Sequence, residues 1–478
     1  MLTRPATPVG VPLAGITKIA HDRNTPQPAP LPRPACVPSG QPDNGAPDAP
    51  GPAPTLLSWL AMLRHSLLFA ALTFVPVFAA DQAAAIGATS ADAARLARIA
   101  PRMQTFADQG AIAGAVTLLM HNGQVVHHEA VGMADIEARK AMAKDSIFQI
   151  MSMTKPTVAT CIMMLVEEGR IALTDPVEKH LPEFRGQLLI AAKGADGSLT
   201  LKKPARAITV RDLLTHTSGM AGNPPEGLKE LYQKMDRPLR EAVLVYAQTP
   251  LLFEPGTQWS YSNMGIATLG RIIEVASGQP FEQFLSSRLL TPLGMKDSFI
   301  FPPEDKKARI AALYDRRDGK LVKADGTKLG GDAMYYRKGA VYSAPEFGLY
   351  STASDLAAFY EMTRTGGVVP NWVKGAGAAP GKRLLSPASV AVMTKLHTGD
   401  IKAGHNPGTG FGLAWEVVKT EQGELNLWSI GSYGHGGAFG THGWVDPAKS
   451  LVGVFLIQGG DATTVKYAFL NLAGASIQ

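Results

Sequence analysis

Ser152 and Lys155 stand three residues apart in Ser152-Met153-Thr154-Lys155, and the run that follows, 157–166, is apolar enough for a buried helix. Residues three apart share a helix face, so the lysine would project beside the serine hydroxyl. The helix N-terminus would favour negative charge at the serine oxygen. Together these are an activated nucleophile in outline. A chain of this length holds roughly one S-x-x-K by chance, so the motif needs company. It is the only S-x-x-K in the chain, it starts a helix, and two further polar runs follow it. Tyr261-Ser262-Asn263, the only Y-x-N, sits on a loop after the turn Pro255-Gly256 and just before a helical pattern over 264–288. His435-Gly436-Gly437 leads into a β-prone run near the C-terminus. His121-Asn122-Gly123 also fits H-x-G but falls in a hairpin ahead of the nucleophile. His216 and Ser218 have no placed acid partner and read as packing or loop-fixing residues.

The elements that must position these groups can be read in outline. Leu96, Ile99, Met103 and Phe106 follow helical spacing and predict an opening helix within 91–110. Two β-prone runs, 113–121 and 124–131, flank Asn122-Gly123, the strongest short hairpin signal. Gly169 closes the helix that begins at the nucleophile. An exposed loop or hairpin is expected over 186–206, a Thr-capped short helix within 208–219, and helices over 227–248 and 354–363. Near the C-terminus the chain changes character. Runs 412–420, 424–430, 437–445 and 450–458 read as strands, Asp446-Pro447-Ala448-Lys449 as the last turn, and 463–473 as a closing helix. The expected fold is mixed α/β (α+β): an antiparallel β-sheet flanked by helices, built from both chain ends, with an inserted mainly helical segment of about 186–340.

Fourteen of the 35 prolines fall in residues 1–54, and 1–61 form a Pro-rich segment expected to be disordered. Residues 62–79 then combine Arg64 with a short apolar core and end in Val77-Phe78-Ala79, the pattern of a signal peptide cleaved after Ala79. The core is too short for a standard membrane span. Because signal peptides begin at a start codon, the expectation is that translation starts at Met62. A Pro-rich cytoplasmic tail ahead of a signal anchor is the rival reading. Either way the folded domain would span 91–478, and the protein is expected to be exported, periplasmic or secreted.

The chain is 45% hydrophobic and 18% charged, ordinary for an enzyme with a sizeable core. Its net charge of +6 is thinly spread, with no basic block or aromatic-basic alternation, which argues against nucleic acid. Removing residues 1–79 leaves 41 basic against 37 acidic residues, or +4. It also leaves Cys161 alone, expected as a small buried hydrophobe. Phosphate-binding glycine loops, zinc spacings and H-E-x-x-H are missing, so no cofactor and no metal are expected.

Taken in order, Ser152-x-x-Lys155, Tyr261-x-Asn263 and His435-Gly436-Gly437 resemble the three-motif set of the serine β-lactamase and penicillin-binding protein superfamily, in its class C-like branch. The match is nearest to the family VIII carboxylesterases and covers the chain from about residue 91. Stretches 213–219 and 437–441 resemble that family too. The resemblance implies Ser152 as nucleophile and Lys155 with Tyr261 as the proton acceptor. On this reading the ammonium lowers the phenol, and the phenolate, or the lysine if neutral, takes the proton. It implies Asn263 as orienter of Lys155 and of the substrate, and the backbone N–H groups of Ser152 and Ala438 as oxyanion donors. Ala438 would stand on the strand after His435-Gly436-Gly437, with Gly436 and Gly437 admitting substrate to the strand edge. His435 departs from the Lys-Thr-Gly or Lys-Ser-Gly of members that bind β-lactam or peptidoglycan carboxylates. A mostly neutral histidine weakens that recognition and favours neutral esters. D-amino peptides or β-lactams at the same site, and a non-hydrolytic penicillin-binding module, are the other readings. The absence of G-x-S-x-G, and a His-Gly-Gly placed after the nucleophile, exclude an α/β-hydrolase plan.

Overall fold

The strand β1 (Gly114–His121) is buried along its whole length, and its side chains divide by period two between two cores. Val116, Leu118 and Met120 face the larger core, Ala115 and Leu119 the smaller. The computed structural model describes residues 90–228, 234–324, 337–420 and 427–478, all within one compact unit, Gln82–Gln478. The Pro-rich segment and the signal-like run lie outside the described residues. Among the described residues no helix is long and apolar enough to cross a membrane.

In chain order the helix α1 (Ile99–Asp108) leads to β1, which turns at Asn122-Gly123 into β2 (Gln124–Asp135) and on to β3 (Lys140–Ala141). Both turn residues have positive φ, 50° and 77°, the geometry that Asn-Gly supplies. After β4 (Phe148–Gln149) comes a 3₁₀ turn, Met151–Thr154, that runs directly into α2 (Lys155–Glu167). Residues 155–165 of α2 are all buried, as befits a helix that is apolar on every side. Hairpin β5/β6 (Leu189–Lys193, Leu199–Lys202) meets the expectation for 186–206. Thr209 caps the short helix Val210–Leu214 in a capping box with Asp212. Next are α3 (Leu239–Gln248), α4 (Asn263–Ser277), hairpin β7/β8 (Tyr314–Arg317, Lys320–Lys323), β9 (Tyr350–Ser351) and α5 (Ala353–Arg364). The helix expected over 264–288 is broken at Gly278, a left-handed cap (φ 75°) followed by Pro280.

The C-terminal strands are β10 (Thr409–Phe411), β11 (Glu416–Val418), β12 (Tyr433–Gly436), β13 (His442–Asp446) and β14 (Leu451–Leu456), followed by α6 (Ala462–Ala475). The sheet order is β10-β11-β12-β13-β14-β1-β2-β3, so both chain ends build one antiparallel sheet, as expected. Its seam is β1 on β14, with Val116 opposite Leu456 and His121 opposite Leu451. Two of the expected strands differ. The run 412–420 becomes a strand only at Glu416–Val418, because 412–415 form a turn in which Gly412 N donates to the Trp415 carbonyl and Ala414 has φ 60°. The run 437–445 begins only at His442, because 437–440 form a tight turn closed by Gly437 N donating to Thr441. For the run 424–430, residues 424–426 lie outside the described residues and 427–430 are not a strand.

α1 and α6 cover one face of the sheet, packing Met103, Phe106, Val465 and Phe469 on Leu119 and Phe455. α5 covers the other, against β1, β13 and β14, while α2 packs on α4. Cys161 is fully buried in α2, and burial pushes its thiol up to about 12.

Candidate active site

Ser152 lies in the 3₁₀ turn at the mouth of α2, between Met151, which has a positive φ of 50°, and the helix itself. Lys155 is the first residue of α2 and fully buried, its Nζ 2.9 Å from Ser152 Oγ. The same Nζ donates to the Glu346 carbonyl at 2.7 Å. That carbonyl belongs to a tight segment in which the N–H groups of Phe347 and Gly348 both donate to Ala344 O and Tyr342 Oη donates to Glu346 Oε1. Burial pulls the Lys155 ammonium down from 10.5 to about 7, with the Glu346 carboxyl opposing it. Near neutrality the amine is therefore available as a base.

Tyr261 precedes α4 and is held from below. Ser262 caps α4 by accepting from Gly265 N, its hydroxyl donates to Ala221 O, and its N–H donates to His216 Nδ1 at 3.1 Å. The His216 ring lies 4.5 Å from the Tyr261 ring, centroid to centroid, and Trp259 and Phe411 pack around it. His216 is thus a loop-fixing residue, fully buried, and burial holds it neutral. Lys155 Nζ stands 4.7 Å from the centre of the Tyr261 ring. The expected lowering of the phenol is not what this environment produces. Burial pushes the Tyr261 hydroxyl well above its usual value, against the lowering effect of its bond with Ser152, while Glu416 and Glu346 raise it further. The phenol stays protonated, and Lys155 is the better acceptor for the serine proton.

His435 Nδ1 lies 2.7 Å from the Gly436 carbonyl, so it carries the ring proton and leaves Nε2 to accept. Nε2 is 3.5 Å from Tyr261 Oη. Burial first, and then the Lys155 charge, pull His435 down to about 3. His435 is therefore a neutral polar contact and not a cation.

Three expected positions are corrected by the packing. Asn263 does not meet Lys155, whose bonds go to Ser152 and Glu346. Instead its Nδ2 donates to Asn223 Oδ1 at 2.8 Å, and it does not line the cavity beside Ser152. Ala438 is exposed in the 437–440 turn, not on a strand, although its turn borders the same cavity as Ser152. At Gly437 the close approach comes from the protein itself, for a Cβ there would sit 2.3 Å from the Ile150 carbonyl oxygen and 2.2 Å from Thr441 Oγ1. Gly436 borders the cavity as expected.

Ser152, Tyr261, His435, Gly436, Gly437 and Ala438 surround one open cavity of about 400 Å³. Its wall also includes the polar side chains of His405, Asn406, Glu416, His442, Thr463 and Lys466, and sequence reasoning missed all six. One signal was available, since Glu416 is a lone acid inside an otherwise apolar strand run. Its Oε1 accepts from His405 N (2.8 Å), Thr409 Oγ1 (2.8 Å) and Asn406 Nδ2 (3.4 Å). Burial pushes the Glu416 carboxyl up, but these donors and the His405 ring outweigh it and hold it at about 2.

A serine and a buried lysine on one helix turn, beside a phenol and the strand β12 of an antiparallel sheet, define a serine hydrolase. The chain belongs to the Beta-lactamase family, whose profile matches residues 97–475. Esterase EstB of Burkholderia gladioli is 30% identical over 387 residues, 76% of this chain and 91% of that protein. Penicillin-binding protein 4 of Amycolatopsis lactamdurans is 30% identical over 356 residues, 74% of this chain and 82% of that protein. Among solved structures, EstCE1, a hydrolase with promiscuous acyltransferase activity, matches with a TM-score of 0.67 at 25% identity, covering 80% of this chain and 99% of that one.

Proposed function

We propose that this serine hydrolase cleaves carboxylic esters of small molecules through an acyl-enzyme on Ser152. The observation that carries the reading is the 2.9 Å contact between Ser152 Oγ and a fully buried Lys155 whose pKa falls to about 7. The neutral amine takes the Ser152 proton as Oγ attacks the ester carbonyl. The backbone N–H groups of Ser152 and Ala438 receive the negative charge that forms on the carbonyl oxygen. The protonated Tyr261 hydroxyl gives its proton to the departing alcohol and is replenished from Lys155. His435, neutral and buried, offers a substrate carboxylate no fixed charge, which favours neutral esters. The likeness to esterase EstB agrees. Cleavage of D-amino peptides or β-lactams is the second reading, supported by the likeness to penicillin-binding protein 4 and by the Lys466 ammonium in the cavity wall.

The test is hydrolysis of p-nitrophenyl butyrate near pH 8 by the parent chain and Ser152→Ala. Turnover that vanishes in the variant is expected. Inactivity of both would sink the ester reading and turn attention to peptide amides and penicillin labelling.

Export follows from the run 62–79 and is proposed on that sequence pattern alone. N-terminal sequencing of the protein from its native cell should begin at Ala80. A chain that retains residues 62–79 would overturn the proposal.

A further inference from the structure

The acyl-enzyme scheme leaves two imidazoles of the cavity unused, His405 and the buried His442. His405 sits on the loop before β10, its side chain 48% exposed, with its ring edge-on to Tyr261 at 4.9 Å and 6.4 Å from the ring of His435. The loop is built around a carboxylate. Glu416 Oε1 takes the three donors described above, and Tyr467 Oη donates to Asn406 Oδ1 at 2.8 Å from the other side. Gly404, at φ 88°, closes the loop so tightly that a Cβ there would lie 2.1 Å from Thr409 Oγ1. This leaves Glu416 Oε2 facing His405 Nδ1 at 3.9 Å. A carboxylate on the Nδ1 side favours the tautomer with its proton there and leaves the Nε2 lone pair as acceptor.

Deacylation requires a base for water, and the other groups of the cavity are poorly suited to it. Lys155, the base of the first half, is fully buried behind its partners Ser152 Oγ and the Glu346 carbonyl and does not line the cavity that water enters. The Tyr261 phenol is held protonated. Burial pulls both His435 and His442 far below the histidine range, so neither readily accepts a proton. Charged groups around His405 are Glu416 on β11 and, further along the wall, Lys466 on α6.

We propose that His405, oriented by Glu416, is the general base that activates the water attacking the acyl-Ser152 ester. This rests on the acyl-enzyme reading above and assigns its second half. Water forms the new C–O bond as its proton passes to His405 Nε2. The bond from the acyl carbon to Ser152 Oγ then breaks, and Oγ takes a proton from Tyr261. The proton held on His405 replaces the one Tyr261 gave, so free acid and free serine are restored without a net proton left over.

His405→Ala and His405→Gln, both at an exposed position, test this with p-nitrophenyl butyrate. Product release is followed through the first turnovers, and quenched enzyme is weighed intact. His405→Ala should release the first equivalent of p-nitrophenol, accumulate butyryl-enzyme, and turn over about 100-fold more slowly than the parent. Added imidazole should restore part of that rate in the alanine variant, where it has room to bind. Steady turnover within twofold of the parent, or a loss of turnover without butyryl-enzyme, would overturn the assignment to His405. A parent that never carries butyrate on Ser152 would instead overturn the acyl-enzyme reading itself.

Discussion

Lys155 shows how one side chain acquires a function from its surroundings. In water a lysine amine is protonated until pH 10.4 or so. Full burial costs the charged form more than the Glu346 carboxyl returns to it, and the balance is a pKa of about 7. In the proposed mechanism the active form is the neutral amine, so kcat/KM for ester should rise with pH through about 7 and level off above it. Below 7 it should fall about tenfold per unit as the amine protonates. A pH–rate profile of p-nitrophenyl butyrate hydrolysis between pH 5 and 9 checks this. A rate that is flat, or that falls across that interval, would remove Lys155 as the base. The i, i+3 spacing that sets Lys155 beside Ser152 was legible in the sequence, because the helical repeat alone dictates it. The protonation states were not. The expected lowering of Tyr261 assumed that the nearby ammonium dominates, whereas burial, with His216, Trp259 and His405 packed against the ring, decides.

At the scale of elements, the site depends on how the 437–440 turn abuts the turn that carries Ser152. Thr441 Oγ1 donates to the Ile150 carbonyl at 3.1 Å, and Gly437 packs against that same carbonyl. Gly437→Ala must push the two apart, displacing Ala438 from the cavity edge it shares with Ser152. Its kcat/KM should fall about 100-fold, while far-UV circular dichroism stays that of the parent. Undiminished activity in the folded variant would show that this contact does not position the site. Strong local signals gave elements in their observed places: the Asn122-Gly123 hairpin, the Thr209 cap and the apolar run of α2. Weaker ones misplaced boundaries. The run from Gly412 looked continuous because the turn at Ala414 uses no proline and no glycine at its positive-φ position. The break at Gly278 was hidden by apolar periodicity that continues beyond it.

At the scale of the whole molecule, the cavity draws on segments far apart in the chain. Residues near 152, 261, 346, 405, 416, 435 and 466 meet only because β14 returns to pair with β1 and the helices of the middle segment pack over the larger core. The sequence by itself determined that Ser152 and Lys155 share one turn, that the Tyr261 phenol stands on a pre-helix loop, and that an antiparallel sheet is made from both ends. Each of these follows from backbone periodicity, turn chemistry or motif order, which neighbouring residues settle among themselves. Only the tertiary structure decided that Glu346 lends Lys155 its carbonyl, that Asn263 turns to Asn223, and that Glu416 holds His405 at the cavity mouth. Those outcomes are governed by burial and by hydrogen bonds between residues tens to hundreds of positions apart, and no local spacing encodes them.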